Sequence, residues 1–402
     1  SLRTANGTEK AMTAYAYDGL AFFSGTPTTG NQTAVARYHT ISASYTDPGN
    51  YDVTAIDYDD YGRPTVMTDA NDHSTTTTYH PVYGYATTVT NALGHATTTQ
   101  VDPGTGNVLS LTDPNGAITS HEYDAFGRLT KTWQPGETQG THAPTVEVTY
   151  TLGSTNTPSL VHVRQREDLG GANPPAYLES WRFFDGAGRL IQLQGEGDTG
   201  DQVIVRNRVY DIMGQLAQES VPYLEPTAPG GYLTPNWGQP ATHYTYDGLG
   251  RITHVTHTDG TAVVTSYDRW TRSVVDENGH RRSYDTDAFG QLAQVREYSG
   301  TVPAVSLYAT TNYAYDVLGN LTAITDTAGI TTTMTYDPLG RKTAMRDPDM
   351  GSWQYGYDAV GNLVRQVDAR GQVTCSYYDQ VNRLQGKHYR GDANCPATMP
   401  DN

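Results

Sequence analysis

One motif recurs so regularly in this chain that it restricts the fold before any other feature is weighed. Tyr315-Asp316-Val-Leu-Gly319-Asn320-Leu321 is followed by copies starting at Tyr336, Tyr357 and Tyr378, each 21 residues after the last. The copy at Tyr378-Asp379 replaces the glycine with Asn382. Upstream, Tyr246-Asp247 and Tyr267-Asp268 are also 21 apart, and Tyr58, Tyr79, Val101 and Tyr123 are spaced by 21, 22 and 22. Degraded copies stand at Phe184-Asp185, Tyr210-Asp211 and Thr286-Asp287. A second punctuation divides each period, as in Asp113-Pro-Asn-Gly116, Asp276-Glu-Asn-Gly279, Asp326-Thr-Ala-Gly329 and Asp368-Ala-Arg-Gly371. Aspartate accepts hydrogen bonds from nearby backbone N–H groups and glycine takes positive φ without a Cβ clash, so both motifs read as turns.

Between turns lie runs of about six residues, such as Asn320–Thr325 and Ile330–Thr335. In the second, Ile330, Thr332, Met334 and Tyr336 share one face, the alternation of a strand with one better-covered side. Runs such as Thr75–Thr78 are poor helix formers because β-branched side chains lose rotamer freedom there. Each period therefore encodes two short strands and two turns, and the chain is expected to be all-β, a continuous antiparallel meander. Composition agrees: charged residues are 17% and hydrophobic residues 36%, with 41 Gly and 30 Tyr. A formal charge of −17 argues against nucleic acid, which needs clustered Lys and Arg. No apolar run approaches the ~18 residues that span a bilayer.

The succession Tyr-Asp-x-x-Gly-Arg-Leu, short strand, Asp-x-x-Gly, Thr-Thr-x-Tyr-x-Tyr-Asp resembles the Rhs or YD repeat. Trp181-Arg-Phe-Phe-Asp185-Gly-Ala-Gly-Arg189, Asn207–Leu216 and Ser220–Tyr223 are similar to the YD regions of Tc-toxin shell components and their Rhs relatives. The resemblance implies a strip of β-sheet spiralling into part of a hollow shell, which in toxin members encloses a C-terminal toxin released by aspartyl autoproteolysis. That core carries Asp-Pro-x-Gly-Leu, whereas the nearest match here, Asp337-Pro-Leu-Gly340-Arg341, continues as an ordinary repeat turn, so neither protease nor cargo is expected in this sequence. About 19 periods of two strands at ~4.8 Å per strand make a strip ~180 Å long, little more than one winding around a cavity ~50 Å across. The expected function is a structural segment of a large secreted bacterial Rhs/YD protein. Its partners would be the rest of that shell and an enclosed polypeptide. The alternative is an extracellular adhesion or glycan-binding surface on the same scaffold.

Along the chain, residues 1–50 read as an irregular opening segment, 51–130 and 244–388 as regular repeats, and 389–402 as a polar, loosely held tail. Residues 131–243 read as degenerate repeats with Pro/Gly-rich insertions at Gln134–Glu137, Gly170–Pro175 and Leu224–Gln239. Long loops on a repeat scaffold are natural sites of binding, so Trp133, Tyr232 and Trp237, which fall outside the period, are the candidate ligand contacts. Cys375 and Cys395, almost one repeat apart, are a candidate disulfide. The periodic tyrosines are expected to form a packing ladder between stacked coils, with hydroxyls on turn backbone. No catalytic residue, metal or cofactor is expected: the Asp turns complete no calcium loop, no carboxylate pair is singled out, and His254 and His257 lack a partner ligand.

Overall fold

The computed structural model describes residues 2–3, 9–38, 51–167, 176–391 and 394–399. Among them are 32 strands and no helix. Each strand pairs antiparallel with its neighbours in sequence: Thr331–Tyr336 lies between Leu321–Thr325 and Lys342–Asp347, and this order runs along the chain. One place departs from it. Val203–Tyr210 receives Leu216–Ser220 and Tyr223–Glu225 end to end along one edge. The interruption is Val221-Pro222, where proline has no N–H to give a ladder.

Strand boundaries follow from turn chemistry. Leu321 and Thr331 open their strands one residue later than the alternation suggests, because Asn320 and Ile330 spend their carbonyls closing the turns on Asp316 N and Asp326 N. Residues 9–38 are ordered as well: Glu9–Tyr17 and Gln32–Tyr38 pair, since Met12, Ala14 and Ala16 alternate with polar residues as in any strand. Between Trp133 and Phe184 the ribbon also continues, through Val146–Thr151, Ser159–Arg166 and Tyr177–Phe184. The Gly170–Pro175 stretch lies outside the described residues.

The ribbon bends because its irregularity is one-sided. At the Tyr-Asp turns, Tyr267-Asp268 excepted, the ladder slips by one residue, as at Tyr336, which faces Lys342 while Thr335 already faces Ala344. The same slip occurs at Tyr58, Tyr79, Tyr315, Tyr357 and Tyr378. The opposite turns, such as Thr325↔Thr331, are followed by an unbroken ladder. A β-bulge bends its strand and increases twist, so one bulge per period on the same edge accumulates into a winding. The winding meets itself 266 residues on, where the Asn71 amide donates to Asp337 Oδ2 at 3.4 Å. Between those turns lie 22 strands, two of them collinear. At ~4.8 Å per rank this is about 100 Å of contour, a coil about 32 Å across if evenly wound. That is tighter than the strip length alone suggested. Among the described residues the first and last strands do not pair, so the sheet is not closed into a barrel.

Candidate functional site at the seam between windings

The building block is the Tyr-Asp turn. In Asp337–Arg341 the Asp337 N–H donates to the Arg341 carbonyl and the Gly340 N–H to the Asp337 carbonyl, with Gly340 at φ 74°. This is a turn followed by a residue in the left-handed region, which closes a hairpin with the correct twist. Asp337 Oδ1 accepts from the N–H groups of Leu339 and Arg341, and Oδ2 from Arg341 Nε at 2.6 Å. Asp59, Asp124, Asp247 and Asp379 repeat the pattern with Arg63, Arg128, Arg251 and Arg383. The Arg63 and Arg251 guanidinium groups hold Asp59 and Asp247 below the ordinary carboxylate value. At Asp124, Asp337 and Asp379 burial pushes the other way, but the backbone N–H groups and the arginine outweigh it and the shift is again downward.

The tyrosine before each turn ties neighbouring periods together. The ladder between Leu321–Thr325 and Thr331–Tyr336 ends at Ala323↔Thr333, and the Tyr336 hydroxyl donates to the Leu321 carbonyl at 2.7 Å. At Tyr79, Tyr123, Tyr357 and Tyr378 the acceptor is likewise the carbonyl 15 residues upstream. The turn arginine completes the unit: Arg341 lies 4.9 Å from the ring centroid of Tyr357, and Arg63 and Arg251 sit similarly over Tyr79 and Tyr267. The tyrosine ladder thus runs between adjacent strands of one winding, which corrects the expectation that it joins stacked coils. A hydroxyl reaches only the next strand, and the carbonyl left over where the ladder stops is the nearest acceptor.

What joins the coils is edge on edge. Mid-period turns of the early winding, starting at Asp69, Asn91 and Asp113, face Tyr-Asp turns of the late winding, starting at Asp337, Asp358 and Asp379. Asn71 reaches Asp337, and Asn115 donates to Asp379 Oδ2 at 3.3 Å. Between them Leu93 and His95 line a cavity of about 530 Å³ together with Asp358, Asn362 and the 395–399 tail. The two rows advance in step, by 22 residues on one side and 21 on the other.

Directly opposed residues in antiparallel strands point to the same side, so the register assigns every side chain to one of two faces. The tyrosines of the repeat share one. The buried clusters all lie on the other, and each has a non-repeat segment over it. Phe22 covers Ala14, Ala36 and Tyr38; Leu233 covers Val203, Val205 and Tyr223; Cys395 covers Val373, Cys375 and Tyr377. The loop after Trp133 does the same, through Arg166 bonded to Glu137 and to the Ala143 carbonyl. Trp133 is consequently 3% exposed, its indole N–H held by the His142 carbonyl at 2.9 Å, and offers no ligand surface. Tyr232 packs on Phe183 with ring centroids 5.6 Å apart, and Trp237 is 37% exposed, so these candidates are not gathered into one site. Cys375 and Cys395 are bonded, with Cα atoms 5.5 Å apart, and this staple fixes a tail that its polarity alone would leave loose. Among the described residues no group of three or more His, Cys, Asp or Glu is placed to hold a metal.

The family model described as RHS Repeat matches residues 102–135 and 315–349. Within those residues lie the turns at Asp124 and Asp337, the capping Tyr123 and Tyr336, and Asn115 of the seam. Both stretches carry the Rhs repeat. A comparison with curated proteins finds no match. Among solved structures, this chain is similar to the crystal structure of TcdB2-TccC3, at 15% identity and TM-score 0.69, over 95% of this chain and 24% of that one. It is also similar to the Photorhabdus luminescens Tc holotoxin pore, at 14% identity and TM-score 0.68, over 97% and 26%. The likeness is one of fold, the long antiparallel β-ribbon, and the chain spans about a quarter of the length of the structures it matches.

Sequence reasoning missed the polar anchor of the Rhs insertion at 224–239. Gln192, Gln194 and Asn207 are fully buried on the covered face. Gln192 donates to Asn207 Oδ1 and the Leu233 carbonyl and accepts from the Leu233 N–H; Gln194 bonds the backbone of Gly230 and Gly231; Asn207 donates to the Tyr223 hydroxyl. A satisfied polar network of this kind fixes a loop in one position. The signal was in the sequence: Gln192-Leu-Gln194 puts both amides on the face opposite the tyrosines.

Proposed function

We propose that this chain is a length of wall in a larger secreted Rhs-repeat protein, and that the wall separates an enclosed polypeptide from solvent. The observation that carries the reading is the seam. A ribbon whose mid-period turns seat on its own Tyr-Asp turns one winding later makes a continuous surface rather than a strip with two loose edges. The likeness to TcdB2-TccC3 over 95% of the chain supports the same reading. So does the disulfide, which suits an oxidising compartment. The repeat aspartates, as at Asp59, Asp124 and Asp337, are committed to turns, which suits a mechanical role for the wall.

Protease protection tests the proposal. The intact natural polypeptide containing this ribbon is digested beside a version carrying Asn71→Asp and Asn115→Asp, which set carboxylates against Asp337 and Asp379. The expected result is a non-ribbon segment that survives in the first and is cut in the second. Equal digestion of that segment in both refutes the enclosing role.

A further inference from the structure

The middle tooth of the seam differs from its neighbours at three positions at once. Where Asn71 and Asn115 donate across to Asp337 and Asp379, the equivalent residue is Leu93, which has no donor to offer Asp358. Where Arg341 and Arg383 clasp the carboxylates of their own turns, the equivalent residue is Asn362, which gives Asp358 Oδ2 a neutral amide at 2.9 Å. Arg341 reaches only the backbone carbonyl of Asp358. Where His73 and His280 bring Nδ1 within 3.3 Å of the turn carboxylates of Asp69 and Asp276, the turn before His95 opens with Asn91 instead. His95 Nδ1 is consequently buried without a partner among the described residues.

These changes surround the cavity of about 530 Å³ at that tooth. Tyr377 lines it too, is 8% exposed, and has a hydroxyl without a partner among the described residues. Buried polar groups are nearly always paired, so two orphans around one cavity point to a ligand that pairs them. Much of the remaining wall is apolar, from Leu93 and Val364 and from Pro396, Ala397 and Met399 on the tail that the disulfide holds. Closed teeth stand on both sides, so the cavity is internal to the seam and owes nothing to its rims. We propose that it binds a small organic ammonium ion with an apolar body, whose N–H groups donate to the Asp358 carboxylate and to His95 Nδ1 while the body lies against Leu93 and Met399. A carboxylate with no cation of its own, set in a largely apolar pocket, favours a positive partner; an alcohol of the same shape leaves that charge unmatched, and an acid opposes it. The site does not depend on the wall enclosing anything.

Ligand-observed NMR titration of the intact natural polypeptide containing this ribbon, near neutral pH with hexylamine, hexanol and hexanoate as probes, tests this. Hexylamine should bind saturably, hexanol about tenfold more weakly, and hexanoate not at all. Leu93→Asn restores the donor across the seam and Asn362→Arg restores the clasp. Each should lower the affinity for hexylamine about tenfold or more without lowering the urea midpoint. Asp358→Asn should weaken binding as much, and Asn91 shows that such a turn closes with asparagine in that place. Absence of saturable hexylamine binding, equal binding of hexanol, or an affinity untouched by the three variants overturns the proposal.

Discussion

Replacing Tyr315, Tyr336, Tyr357 and Tyr378 together by phenylalanine removes four hydroxyls and nothing else. The rings stay, and so does the Arg341 contact with the ring of Tyr357. What is lost is the bond to a strand-opening carbonyl, at 3.0, 2.7, 3.0 and 3.1 Å. Each carbonyl is half-covered, so leaving it unpaired costs about 1 kcal/mol. Successive tyrosines are two strands, or ~10 Å, apart, the distance at which such losses begin to add independently. The quadruple variant should therefore lose about 4 kcal/mol. In a repeat protein the loss falls on the affected units and their neighbours, so the 315–384 block should unfold first. With a urea slope of ~2–3 kcal/mol/M, its midpoint should fall by about 1.5 M at unchanged slope, followed by circular dichroism and by hydrogen exchange of the same strands. A midpoint within ~0.3 M of wild type would refute the claim that the hydroxyls join the strands.

Three further outcomes are expected. Gln192→Ala strands the Leu233 backbone and the Gln194 and Asn207 amides in a dry site and should cost about 3 kcal/mol, seen as early exchange of residues 224–239; a loss confined to tenths would deny the anchor role. Removing the staple with Cys375→Ser and Cys395→Ser opens a 20-residue loop and should cost about 3 kcal/mol, with Tyr377 becoming reactive to surface labelling; unchanged labelling would mean the tail holds itself. The turn aspartates have folded pKa values below the ordinary one, so their contribution is complete above about pH 4 and drains away as pH falls through the lowered values; a urea midpoint flat from pH 6 to pH 2 would contradict the arginine clasp.

The local parts of this architecture were legible because they are set by residues within one period. Asp and Gly at fixed spacing state a turn, and Thr332, Met334 and Tyr336 state a face. The seam was not legible, because which turn meets Asp337 depends on curvature summed over 22 strands, and no residue near Asp337 specifies Asn71. Trp133 misled for a related reason. Aperiodic aromatics read as surface features, yet parity alone puts Trp133 on the face opposite Tyr123, where the following loop folds back over it. The buried amides went unread for the same reason: Gln192 and Gln194 look like solvent-facing alternation until a loop brings backbone groups to meet them.

The seam counts hairpins and ignores residues. Rows spaced by 22 and by 21 still mesh, because what advances along each is one pair of strands, whatever the length of the loop between them. Loss or gain of a whole period would slide one coil past the other by a single tooth and again set a mid-period turn against a Tyr-Asp turn. Loss of half a period between the two windings would present the wrong rim, mid-period turn against mid-period turn. Lineages of such chains are thus free to change length, but only in even numbers of strands.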